Sequence, residues 1–258
     1  MVKRILNRIE VYSLYCWEYM RYGEWGSLKN AIGFMISKKS AAPAKRIRTS
    51  MGIFDTRPRS LDFQYINYAY EIDIKRFIEK ENFEVFLDIG ACLGEYCIWL
   101  GKKGKRCIAF EPVSASFEMI RKNIALNGVE SNVTAYNYGL GKAHSTEYFE
   151  LDETNPGSNR RVDAASSNTE KIEINALDDK ISELGLKPNQ KILIKIDIEG
   201  MELDMLRGAS NFLRTFPHLV LIIEEKFSGE SNIRKGLSEI ADFEYGKIDE
   251  YNIYARKK

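Results

Sequence analysis

Two carboxylate-bearing stretches hold the residues best suited to chemistry. The first, EVFLDIGACLGEY at 84–96, closes an apolar run with Asp88 and continues through Gly90 and Gly94 into a helical pattern. An acid at the tip of a buried strand, beside a glycine turn and a helix N-terminus, describes a cradle for a nucleotide-type cofactor. The second is KIDIEG, which sets Lys195, Asp197 and Glu199 at the end of another apolar run. Acids placed there can take a proton, orient a hydroxyl or balance a cation.

Glycine spacing narrows the cofactor. A dinucleotide fingerprint, G-x-G-x-x-G, needs a second glycine two places after the first, where the backbone approaches a pyrophosphate. Cys92 stands there, which argues against an NAD-dependent oxidoreductase. What remains is Asp88-x-Gly90-x-x-x-Gly94, with Glu111 ending the next apolar run 23 positions after Asp88. That arrangement suits S-adenosylmethionine. Gly90 lets the chain pass beneath the amino-acid part, and helix-start amides around Glu95 and Tyr96 receive its carboxylate. Asp88 attracts its ammonium, directly or through water, and Glu111 accepts from both ribose hydroxyls. Ala91, Pro112 and Gly139 complete the expected cofactor lining, with Asp197 reaching it from a neighbouring strand.

Methyl transfer to an alcohol needs acceptor and methyl held in line, and a base for the hydroxyl proton. Asp197 is the first candidate as base or orienting group, Glu199 the second, and Glu202 reads as structural. Lys195 alternates inward and needs a buried partner, Asp197 or Glu199. Such a pair lowers the acid's pKa and weakens it as a base, which favours orientation over base catalysis for Asp197. His144 is an alternative base, set against the plainer reading of a surface histidine. Asp197, Glu199 and Glu224 offer the oxygens a divalent metal takes, but no spacing demands one, and metal use stays open.

These residues need a sheet to position them. The 258-residue chain, 44% hydrophobic and 29% charged, is large enough for one full core with an appendage. Its net charge of +1 hides an asymmetry: ten Lys/Arg oppose three Glu in residues 1–50, leaving the rest at minus six. A basic amino-terminal part points to an anionic surface or substrate, with no nucleic-acid partner expected. Four cysteines without CxxC spacing read as reduced core residues of a cytosolic protein, and two histidines argue against zinc. The start lacks a signal-peptide pattern, and no stretch reaches the ~20 apolar residues of a spanning helix. The expected location is cytoplasmic, with peripheral contact at the inner membrane face as an option.

Two domains are expected: a helical, basic and aromatic extension at 1–44, and a catalytic body at 45–258. Ile5, Ile9, Tyr12, Cys16 and Tyr19 form a helical stripe, read either as packing on the body or a second subunit, or as lying on an anionic membrane. Residues 45–62 read as a hairpin carrying Arg46, Arg48, Arg57 and Arg59, and 63–81 as one or two helices. Apolar strands are expected at 106–110, 133–140, 191–196 and 219–223, with helices between them. Ser114 and Asn175 read as helix caps, and Met201, Met205, Ala209 and Phe212 as one amphipathic helix. Residues 141–170 read as a polar excursion, and 243–254 as an antiparallel hairpin. The alternation implies an α/β, Rossmann-like, mostly parallel doubly wound sheet with a carboxyl-terminal hairpin.

FLDIGACLGEY, IAFEPVSASFEMIRKNIALN and above all LIKIDIEGMELDMLRGA resemble the FkbM-type S-adenosylmethionine-dependent methyltransferases, over about 45–227. The resemblance implies a class I methyltransferase fold and methylation of a hydroxyl oxygen on a sugar or secondary metabolite, in polysaccharide or natural-product assembly. Cys92 departs from the asparagine usual in that family. That departure, with the amino-terminal arm, motivates a competing reading as a non-catalytic binding or scaffolding module. Arg57, Arg59, Arg160 and Arg161 would suit an acidic sugar or a phosphate-bearing carrier.

Overall fold

VFLDI and ILIKI, apolar but for one charge each, form the two central strands, paired in parallel with Lys195 opposite Asp88. The computed structural model describes residues 2–258, with side chains described from Glu10 onward; Ile5 and Ile9 therefore lie outside the described side chains. The chain begins with α1 (Val2–Arg21) and α2 (Trp25–Ser37), then the hairpin β1 (Lys45–Arg48) and β2 (Ile53–Thr56), then α3 (Asp62–Tyr65) and α4 (Ile72–Lys80). Next, β3 (Val85–Ile89), α5 (Glu95–Lys102), β4 (Arg106–Phe110), α6 (Ser114–Asn127) and β5 (Val133–Tyr136) alternate. Four strands follow: β6 (Gly139–Leu140), β7 (Ser145–Glu150), β8 (Arg160–Val162) and β9 (Thr169–Asn175). Then come α7 (Leu177–Leu184), β10 (Ile192–Ile196), α8 (Glu202–Gly208), α9 (Ser210–Thr215), β11 (Leu219–Glu224), α10 (Glu230–Ser238) and the hairpin β12 (Phe243–Lys247) and β13 (Asn252–Lys257).

The main sheet runs β12-β13-β11-β10-β3-β4-β5, parallel from β11 to β5 and antiparallel at the hairpin edge. Chain order reverses between β3 and β10, and such a switch point opens a crevice at the carboxyl ends of the strands. Alternation splits the core into two. Phe86, Cys107, Ala109 and Leu193 face α5, α6 and the amino-terminal helices, while Leu87, Ile108, Ile194 and Ile223 face α7–α10.

Several sequence expectations change. Residues 133–140 are two strands in different sheets, because the chain leaves the main sheet after Tyr136. The 141–170 excursion is ordered: β7 and β8 join β6 and β9 in a second sheet of order β6-β9-β7-β8. Its faces are mostly half-exposed, so its polar sequence hides regular pairing. The helix expected after Met201 breaks at Ala209 into α8 and α9, and α10 was not anticipated. Ser114 begins α6 without capping it and bonds Glu170; Asn175 ends β9 and bonds Glu173 and His144. On α1, Tyr12 faces outward; Tyr15 and Tyr19 are the buried pair, and Tyr19 donates to the carbonyl of Phe63.

Candidate active site

The glycine loop after β3 and the KIDIEG loop after β10 meet at the switch point. Asp197 N–H donates to the carbonyl of Ile89 at 3.0 Å. Gly90 adopts φ +90°, and a Cβ there would lie 1.9 Å from the carbonyl oxygen of Asp197. No side chain fits, so glycine is what lets the two loops touch.

Glu111, buried at the end of β4, accepts the N–H of Cys92 at Oε2 and of Val113 at Oε1, each at 2.9 Å. Burial pushes its carboxyl up to about 7, against the pull of those two amides. The Cys92 amide thus does structural work that its side chain identity does not decide. Its φ of +48° lies in the left-handed region, which asparagine also tolerates. The thiol lies 3.8 Å from the Arg57 guanidinium. Arg57 itself is bound to Asp62 at 2.7 Å and donates to Ser116 at 2.9 Å. It braces the β1–β2 hairpin against the cofactor loop and is not free to meet an anionic substrate.

Three adjoining clefts converge here. One of about 530 Å³ is lined by Phe110, Glu111, Pro112, Val113, Gly139 and Ile174, an apolar slot with one carboxylate. A second, of about 650 Å³, is walled by Tyr65, Tyr70, Glu71, Glu95, Lys195 and Glu224. The third, about 1220 Å³ and open, includes Ser158, Arg160, Asn168, Lys226 and Phe227. Gly90, Cys92 and Asp197 belong to the first two, and Glu199 lines all three.

Lys195 is buried and donates to Asp197 Oδ2 at 2.7 Å. Burial alone would lower its pKa, but the carboxylates of Asp197, Glu71 and Asp88 outweigh it and hold the lysine charged. Glu199 has φ +49°, an unfavourable conformation for a non-glycine residue and one often found at functional sites. Burial, then the nearby Asp197 carboxylate, raises Glu199 to about 7; Lys226 approaches no closer than 4.0 Å. The same two causes raise Glu224 to about 8. Carboxylate oxygens of Asp197, Glu199 and Glu224 lie within 4.8 Å of one another, an oxygen set a hard divalent cation accepts.

Not every sequence candidate reaches the clefts. Asp88 is 1% exposed, lies beneath the loop beside Cys97 and lines neither of the first two clefts. Burial raises it to about 6, partly offset by Lys195. Ala91, Gly94 and Tyr96 also lie behind the surface. Tyr96 donates to Glu71 at 2.7 Å, with the Lys75 and Lys195 ammonium groups 4.8 and 5.3 Å from its ring centre. Glu202 is fully buried, tied to Gly200 N–H and Ser228. His144 lies exposed on the second sheet, 3.0 Å from Asn175 and away from all three clefts. Glu71, Tyr65, Tyr70 and the Asn155–Gly157 turn line the site but were not anticipated. The positive φ of Glu71 is a backbone feature no spacing reveals.

The family model for the methyltransferase FkbM domain matches residues 88–251, well over half of the chain. The chain is 29% identical to Methyltransferase 1 of Beauveria bassiana, over 56% of this chain and 70% of that protein. It is 26% identical to the hexuronic acid methyltransferase AglP of Haloferax volcanii, over 59% and 62% respectively. Among solved structures it is similar to a methyltransferase FkbM from Methylobacillus flagellatus, with a TM-score of 0.50 at 18% identity, covering 75% of this chain and 53% of that one. The chain thus spans about half to seven-tenths of the length of these relatives. With a mostly parallel sheet, a glycine loop at its switch point and the family match across both, this chain belongs to the FkbM methyltransferase family.

Proposed function

We propose that the chain transfers a methyl group from S-adenosylmethionine to a hydroxyl oxygen of an acidic sugar. The observation that carries this reading is the place of Glu199, the one carboxylate shared by all three clefts. When bound, S-adenosylmethionine supplies a methyl group from a sulfonium, the new carbon–oxygen bond replacing the carbon–sulfur bond. Glu111, already fixed by two amides, has lone pairs left for ribose hydroxyls, and Phe110, Val113 and Ile174 offer an apolar wall for a purine. Glu71 and Asp197 make the adjoining cleft favourable for the cationic end, beside Glu95, whose carboxyl is pushed up to about 8 by burial. The Oε2 atom of Glu95 is buried with no hydrogen-bond partner, a group that a bound donor would satisfy.

Glu199, held near 7, takes the acceptor's hydroxyl proton as the new bond forms. Asp197, held by Lys195, orients that hydroxyl and balances positive charge. In the open cleft Arg160 is already paired with Glu150 at 3.2 Å, beside Asp152 and Glu153, so Lys226 is the cation that suits a carboxylate on the acceptor, and the half-exposed ring of Phe227 suits the apolar face of a sugar. The similarity to a hexuronic acid methyltransferase supports an acidic sugar.

The test is transfer of an isotopically labelled methyl group to a panel of hexuronates, neutral hexoses and sugar phosphates. The expected product is an O-methyl hexuronate, located by mass spectrometry and NMR. Label on nitrogen or carbon, or on neutral sugars alone, would overturn the acceptor assignment. Absence of calorimetric binding of S-adenosylmethionine would overturn the donor assignment separately.

A further inference from the structure

Six of the eight large hydrophobic side chains exposed among the described residues lie on the amino-terminal helical hairpin: Tyr12, Trp17, Met20, Trp25, Ile32 and Ile36. They share outward faces. Trp25, Lys29, Ile32 and Ile36 follow spacings of four, three and four along α2, one stripe of that helix. On α1, Trp17 and Met20, three apart, share a face, while Tyr12, seven before Tyr19, is exposed on the row that Tyr19 buries further along. Trp17 is 58% exposed, Trp25 63% and Ile36 82%, and their grouping on one hairpin differs from apolar residues scattered singly over a surface. The opposite faces already have their partners, since Tyr15, Tyr19 and Ala31 are buried in the core with Leu28 and Phe34 packed beside them.

Charge is sorted in the same way. The hairpin's acids turn inward: Glu18 accepts the N–H of Ser50, and Glu24 accepts from Lys45 and the N–H of Arg48. Glu10, which stays exposed, is paired with Arg76 at 2.7 Å. Arg21, Lys29, Lys38 and Lys39 remain exposed around the aromatic and aliphatic groups. No helix of the described residues is long and apolar enough to cross a membrane.

We propose that this hairpin is a docking surface for an anionic lipid membrane, lying in the headgroup region with Trp17, Trp25 and Ile36 inserted. Tryptophan and tyrosine favour that depth, and basic residues there meet acidic headgroups. A second copy of the chain fits less well. A twofold contact would place the basic face against itself, a like-charge arrangement that disfavours association.

Co-sedimentation of the full chain with phosphatidylcholine vesicles, with and without phosphatidylglycerol, tests this directly. The expected result is pelleting that depends on phosphatidylglycerol and falls as salt rises, with a blue shift in tryptophan fluorescence. Two of the three tryptophans lie on the hairpin, and Trp99 is buried, so the shift reports the hairpin. Lys29→Glu should weaken partitioning by at least roughly fivefold, the scale of one basic contact. Trp17→Ser with Trp25→Ser should abolish pelleting while leaving the melting temperature and S-adenosylmethionine binding unchanged. Equal pelleting on both vesicle types, or none, would overturn the proposal. So would light scattering that shows a dimer lost in the tryptophan variant, which would assign the face to self-association.

Discussion

Gly90 and the backbone carbonyl of Asp197 are in such close contact that an added Cβ would fall 1.9 Å from the oxygen. The glycine loop after β3 and the KIDIEG loop after β10 are therefore one packed unit. Gly90→Ala must both force an alanine into φ +90° and push the loops apart. We expect destabilisation on the order of 2–3 kcal/mol, read from urea unfolding, and loss of cofactor binding in calorimetry. Near-normal binding at unchanged stability would show that the loops can separate without harm.

Glu111→Ala removes the acceptor for two backbone amides as well as any ribose contact. Cofactor affinity should fall by at least about tenfold, the scale of a lost charged hydrogen bond. Glu111→Gln keeps the shape and should lose less, which separates the hydrogen bond from simple packing.

Stability should also depend on pH through the same residue. Its folded pKa of about 7 lies above the ordinary 4.5, so between these values the folded chain holds a proton that the unfolded chain has released. The folded state is thus progressively disfavoured as pH rises through that window, with no penalty below it and the full penalty above it. Urea midpoints at about pH 5 and pH 8 should fall more steeply for the wild type than for Glu111→Gln. Equal slopes would mean that Glu111 does not titrate there.

Glu199→Gln should lower kcat by roughly a hundredfold or more while S-adenosylmethionine affinity stays near wild type. In the wild type, the rate should rise with pH through about 7, as the carboxyl releases its proton. Asp197→Asn should leave that rising limb in place. A limb that disappears in Asp197→Asn but survives in Glu199→Gln would exchange the two roles.

The Asp197, Glu199 and Glu224 group faces Lys195 and Lys226, which already supply positive charge. We expect turnover to persist after treatment with EDTA. Loss of turnover on EDTA, restored by magnesium, would instead make the three acids metal ligands.

The strand ends that hold Glu111, Lys195 and Asp197 were legible because buried parallel strands leave continuous apolar runs, and the charge that interrupts a run marks its tip. The Lys195–Asp197 bond follows from alternation on that strand. Asp88 matched the motif equally well, yet its strand turns it under α5, and one-dimensional spacing does not tell in front of a loop from behind it. Glu224, at the tip of β11, was grouped with Asp197 and Glu199 from its strand end, whereas Glu71, just before α4, enters the site only through tertiary packing. On α1, aromatic residues occupy both faces, so a helical period fits more than one rotation. Of the stripe read from the sequence, Tyr19 makes the contact and Tyr12 does not, and Tyr15, outside that stripe, is the second buried ring.

Glu111 is tied to Cys92 and Val113, so the end of the site proposed for the donor is held by the central sheet. The open cleft is bordered largely by residues of the second sheet and the loop after β11. The two ends are therefore built from different elements and open to separate substitution. On the proposed reading, exchanging Arg160, Asn168 or Phe227 should change which acceptor is taken while S-adenosylmethionine affinity stays near wild type.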